Sequence, residues 1–282
     1  MSAALCVQYK GGGDMPDFNI GKIANYLGRY KDQLDELYEW EVKNTQKLAE
    51  IDVANETEIS ELKSSDLSHF QKTQRLKSIL SKALNDYQKI DIPRFEKIVL
   101  WIIRDWGGIH NGTDPDTIRC VNAFIGTDKP AFDRIASSSK VGGFMFPTKR
   151  IIYDSRVAYT MNWIILSENA GEKFFPIPEG RNSKMQAFNL DVLIRLKFLD
   201  RYKPDKTQGW KDGRYISSKD REIFIPKADA YFELNSLVGK VNELLWNDTR
   251  RLEPFYTEML LFAIADRGVF EDITERARIE IR

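Results

Sequence analysis

Lys140 and Asp154 are the residues whose types and spacing best suit a reaction. They bound the segment Lys140-Val-Gly-Gly-Phe-Met-Phe-Pro147-Thr-Lys-Arg-Ile-Ile-Tyr-Asp154, and Pro147 disfavours a helical residue ahead of it. A helix therefore ends before Pro147, and an extended return runs from Lys149 to Tyr153. Half the interval as helix rises ~10 Å, and the rest, extended at ~3.3 Å per residue, spans the way back. An amine and a carboxylate can thus converge across the turn. Beyond it Val157, Ala158, Met161, Ile164 and Ile165 keep helical phase, which makes Asp154 the N-cap of a new helix.

Such a pair suits rupture of an N-glycosidic bond. Positive charge develops on the sugar as the base departs; a carboxylate stabilises it, and a neutral amine attacks the anomeric carbon. Burial or a cationic neighbour favours the neutral amine. Arg134, Lys149, Arg150 and Arg156 supply such a field and can hold phosphates, as can the hydroxyls of Ser137, Ser138 and Ser139 at the helix start. A plainer alternative stays open: an aspartate before a helical run is often only a cap, and a lysine in a serine-rich turn is usually solvated. The chain is then a non-catalytic helical module that binds protein or DNA.

Other chemistries are poorly served. Two cysteines, Cys6 and Cys120, and two histidines, His69 and His110, leave little for a zinc or haem centre, and no Ser-His-Asp set can be built. His110 with Asp114 and Asp116 reads as a turn leading into a helix. No metal or cofactor is expected, so catalysis falls to carboxylates, lysine or tyrosine. The 282 residues balance 42 Lys+Arg against 42 Asp+Glu, which gives no global signature of nucleic-acid binding. Locally the balance differs: residues 14–66 hold thirteen acidic and six basic residues, whereas 134–156 hold five basic and one acidic, and 201–221 seven basic and three acidic.

The elements that must carry the turn are mostly helical. Ile20, Ile23, Ala24 and Leu27, then Leu34, Leu37 and Tyr38, predict one amphipathic helix or two over 20–50. Pro93 opens a helical run that Gly107-Gly108 stops, and further helices are expected at 116–125, 130–146, 155–168, 186–200, 228–247 and 252–265. Residues 202–226 read as a loop with a short β-hairpin, because turn dipeptides flank Arg214-Tyr215-Ile216 and Glu222-Ile223-Phe224. The fold class expected is mainly α, divided into an acidic N-terminal helical region, 1–90, and a helical domain, 91–282, that contains the Lys/Asp turn. With no apolar run of membrane-spanning length and no leader-like N-terminus, the expected location is the cytoplasm.

Lys140, Pro147 and Ile152-Tyr153-Asp154-Ser155-Arg156-Val157-Ala158, with Trp106-Gly107-Gly108 upstream and Glu258-Met-Leu-Leu-Phe-Ala263 near the end, resemble helix-hairpin-helix DNA glycosylases of the 8-oxoguanine glycosylase-like bacterial and archaeal branch. The likeness centres on residues 130–166 and does not extend into the first ninety. It implies a two-lobed helical bundle, a monomer acting on DNA, Lys140 as nucleophile and Asp154 beside the deoxyribose. A glycosylase must extrude its target base and enclose it by stacking. Trp106, next to Gly107-Gly108, and Trp210, in a basic loop, are the candidates for that pocket. The resemblance implies either repair of an 8-oxoguanine-like lesion or removal of modified phage bases in antiviral defence, with AP-lyase activity as an accompanying option.

Overall fold

The computed structural model describes residues 16–278 except 181, 205–210 and 212; Cys6 and Trp210 lie outside them. The helices are α1 (Ile20–Gly28), α2 (Leu34–Leu37), α3 (Gln46–Glu50), α4 (Glu56–Lys63), α5 (His69–Ile90), α6 (Ile92–Leu100), α7 (Asp114–Ile125) and α8 (Ile135–Met145). There follow α9 (Ser155–Ser167), α10 (Ser183–Ala187), α11 (Leu190–Lys197), α12 (Tyr215–Ile223), α13 (Lys227–Leu245), α14 (Phe255–Ile264) and α15 (Gly268–Arg276). The chain is mainly α, as its periodicity predicts. None of the described helices is long and apolar enough to cross a membrane.

Local sequence starts these helices. Asn55 with Glu58, and Ser68 with Gln71, form reciprocal capping boxes for α4 and α5, while Asp91 and Thr113 cap α6 and α7, each with a proline in the first turn. His110 to Thr113 is indeed the approach to a helix, with Gly112 at φ +86°. Trp101–Trp106 continues α6 as a turn of π-helix that ends at Gly107.

The expected hairpin is corrected. Tyr215–Ile223 is helix, and Phe224 makes only an isolated parallel bridge to Phe174. The reason is tertiary: Asp220 accepts from both the Arg195 guanidinium, at 3.0 and 2.9 Å, and the Tyr202 hydroxyl, at 2.9 Å, which holds this segment as a helix against α11.

Two apolar clusters form the interior. One joins Ile23 and Leu27 of α1 and Leu34 of α2 to Val157, Ile164, Leu234, Val238, Leu260 and Ile273. The other joins Leu48, Ile59 and Leu62 to Leu76, Leu80, Leu84, Phe95, Ile98, Ile102 and Phe144. Residues before and after position 90 contribute to both. The α8 turn lies on their seam: Ile135, Ile151 and Tyr153 belong to the first cluster, and Val141, Phe144, Met145 and Ile152 to the second. Alternation along the extended return Ile151-Ile152-Tyr153 sends neighbouring side chains into different cores, which fixes the register at which Asp154 arrives.

Candidate active site

At the seam, Lys140 Nζ donates to Asp154 Oδ2 at 3.0 Å and to the Ala136 carbonyl at 3.2 Å. The amine and the carboxylate therefore meet across the turn. Asp154 is also the N-cap of α9: its Oδ1 accepts from the Arg156 backbone N–H at 2.8 Å. Each carboxylate oxygen thus has a separate partner, one cationic and one at a helix start. Burial alone would raise the Asp154 carboxyl, but the Lys140 ammonium and the Arg156 N–H outweigh it and hold the group below the usual carboxylate range. The site is nearly closed, with the Lys140 side chain 6% and the Asp154 side chain 18% exposed.

Close backbone approaches make room for this pair. A Cβ on Gly107 would lie 2.9 Å from Lys140 Cδ and 2.8 Å from the Ile103 carbonyl, so the lysine stem passes over a surface only glycine leaves open. The π-turn before Gly107 presents it there, and Trp40 Nε1 donates to the Trp106 carbonyl at 3.1 Å. Gly142 and Gly143 also permit close approach, but inward: a Cβ would lie 2.3 Å from Phe124 and 2.8 Å from Ile152 respectively.

Most of the side chains expected at phosphates have partners within the protein. Ser138 and Ser139 are buried, and Ser139 Oγ accepts from the Tyr153 N–H at 2.9 Å, so this hydroxyl ties the helix to the return segment. Polar side chains of this size enter a core when a backbone group needs a partner. The amides of Ser137 and Ser138 are taken by the Arg134 carbonyl, each at 3.0 Å. Arg150 donates to the carbonyls of Phe124, Ile125 and Thr127 at 3.1 to 3.2 Å, closing the C-terminal end of α7, and stacks over Phe124 and Phe146. Lys149 is exposed, Ser137 is half-buried, and Arg156 lies over the Phe262 ring while pairing with Asp266 at 3.1 Å.

Trp106 is not the open wall of a pocket. It is buried, edge-on to Phe144 at 4.8 Å and to Trp40 at 6.1 Å, and its Nε1 has no hydrogen-bond partner. Trp40, half-buried between Trp106 and Phe262, belongs to the same aromatic group and was missed by sequence reasoning, which saw no periodic signal at that position. A cleft of about 200 Å³ reaches Ser155, the residue after Asp154, and is bordered by Tyr159, Gly180, Gln186, Asn189 and Asp191. Lys140 and Asp154 do not line it. Oδ1 of Asp191 is buried there with no partner, and burial pushes its carboxyl upward.

Behind the pair lies a second one that spacing did not disclose. Lys77 of α5 and Glu258 of α14 are buried with their charged ends 3.9 Å apart, and Lys77 Nζ sits over the Phe144 and Phe255 rings. Their separation along the chain leaves no local signal.

Comparisons with known proteins place nothing beside this chain: no family model, no curated protein and no solved structure matches it.

Proposed function

We propose that the protein is a DNA glycosylase in which Lys140 attacks the anomeric carbon of an extruded nucleoside and Asp154 stabilises the sugar cation. The observation that carries this reading is the 3.0 Å meeting of Nζ and Oδ2 at the start of α9. It is supported by the resemblance of the same residues to helix-hairpin-helix glycosylases and by the cleft that begins at Ser155, one residue away, where the base or its substituent would lodge.

The chemistry balances as follows. Nζ bonds to C1′ while the N-glycosidic bond breaks and its electron pair leaves on the base. One proton shed by the ammonium neutralises that base. A second moves from the attacking nitrogen to O4′ as the sugar ring opens, leaving C1′ and Nζ joined as an iminium that water hydrolyses or elimination consumes. Asp154, held as a carboxylate, offers negative charge where the sugar becomes positive. The sugar enters by parting the Lys140–Asp154 bond, which frees the amine.

One observation favours a different reading. Lys140 is almost fully covered and satisfied by two acceptors, which is how a structural ion pair in a non-catalytic helical module would look. Borohydride reduction in the presence of duplexes carrying damaged or modified bases separates the two. The glycosylase reading expects a protein–DNA adduct that Lys140→Gln abolishes; a structural pair gives no adduct and no released base with any duplex.

A further inference from the structure

The backbone that carries Lys140 is held by the buried pair behind it. Lys77 Nζ reaches the carbonyl of Gly143 at 3.4 Å, on α8 three residues past Lys140. The Ile152 N–H, two residues before Asp154, is one of the groups that favour the charged form of Glu258. Gly143 and Ile152 are themselves in the closest contact the turn allows, since a Cβ on the glycine would meet Ile152 Cγ1 at 2.8 Å. Lys77 therefore holds the helix where it touches the return segment, and its ammonium meets Glu258 at 3.9 Å.

We propose that Lys77 and Glu258 are positioning residues for the Lys140–Asp154 pair, holding α8 where it meets the return segment and setting the charge field in which that pair works; the catalytic part of this assignment rests on the glycosylase reading. An ion pair is an expensive clamp in an interior where apolar side chains pack as well. Beside a second charged pair, its charge can reach that pair. The groups that face Glu258 are Lys77 from α5, Tyr38 after α2, Tyr231 from α13, and Lys140 and Asp154. Burial pushes the Glu258 carboxyl up to about 7, against the pull of the Lys77 ammonium and the Ile152 N–H. Oε2 has no hydrogen-bond partner and faces the Lys77 ammonium at 3.9 Å, so a proton taken up there weakens that ion pair alone. Near neutral pH the field on Asp154 then changes with the state of Glu258.

The test uses the full chain without DNA. The carboxyl carbon of Asp154 is followed by NMR from pH 4 to 9, assigned by its loss in Asp154→Asn, in the wild type, Glu258→Gln and Lys77→Met. The wild type should show an inflection near pH 7; Glu258→Gln should lose it, and Lys77→Met should move it upward by about 1 pH unit. Glu258→Asp, a backup should the amide variant fail to fold, should retain a displaced inflection. An inflection absent from the wild type, or unchanged in the Glu258 variants, overturns the proposal. With a substrate in hand, the pH dependence of base release in a single turnover should follow the same inflection, and an unaltered profile in Glu258→Gln likewise overturns it. If the Glu258-dependent inflection is present yet no duplex loses a base, the coupling stands and the glycosylase reading alone fails.

Discussion

A Cβ on Gly107 would stand 2.9 Å from Cδ of Lys140, so the stem of the candidate nucleophile is laid across a glycine at the end of a π-turn. Gly107→Ala should displace that stem or the turn, because the second obstacle, the Ile103 carbonyl at 2.8 Å, is backbone and cannot rotate away. We expect a loss of about 1–3 kcal/mol in urea unfolding and at least tenfold slower base release. Retention of both would show that Lys140 does not depend on this surface.

Asp154→Ala should cost more than the ~1 kcal/mol of a lost helix cap, because it also strips the partner from a nearly buried ammonium. The excess should shrink when Lys140→Met is added. Urea unfolding of the two single variants and the double variant gives the coupling, expected at about 1–3 kcal/mol; additive losses would mean that the two groups do not interact in solution.

Glu258 gives the chain a pH dependence of definite sign. Its carboxyl titrates near 4.5 when unfolded and near 7 when folded, so across that window the folded chain binds more protons than the unfolded one. The stabilisation is complete below pH 4.5 and is lost as pH rises through 7. Relative to the wild type, Glu258→Gln should therefore gain stability between these limits, by an amount on the order of 1–3 kcal/mol. Thermal unfolding at pH 5 and pH 8 checks it; a difference that does not grow with pH contradicts the burial argument.

Ser139→Ala should destabilise the fold by about 1–3 kcal/mol, since the Tyr153 N–H is left without its acceptor. Affinity for duplex DNA should stay unchanged, whereas Lys149→Ala, on the exposed surface, should weaken it and reduce the salt dependence. Chemical unfolding and a salt series of binding isotherms read the two effects.

The turn was legible because its determinants are local. Pro147 stops one helix, Asp154 starts another, and chain geometry brings the ends together. The helical periods of 92–106 and 155–168 were readable for the same reason, since each buries one face against a core. Where partners are remote, the sequence carries no signal for them. Ser138, Ser139 and Arg150 looked like a phosphate grip because their types favour water, yet a backbone N–H and three carbonyls draw Ser139 and Arg150 inward. The segment around Tyr215 looked like strand until Arg195 and Tyr202 claimed Asp220. The long helix α5 gives a weak signal because Lys, Ser and Gln dilute its stripe, although Leu76, Leu80 and Leu84 keep the spacing of four. Lys77 hides in that same stripe. Trp40 joins the site only through packing that no pattern announces, and Glu258, part of the C-terminal motif, meets Lys77 only through the fold.

The most direct measurement is borohydride trapping on a panel of duplexes bearing oxidised and bulky modified bases, with released bases identified by mass spectrometry. A covalent adduct mapped to Lys140, absent from Lys140→Gln and accompanied by a free base, is the predicted result. An adduct that survives Lys140→Gln, or no adduct and no released base across the panel, would contradict it.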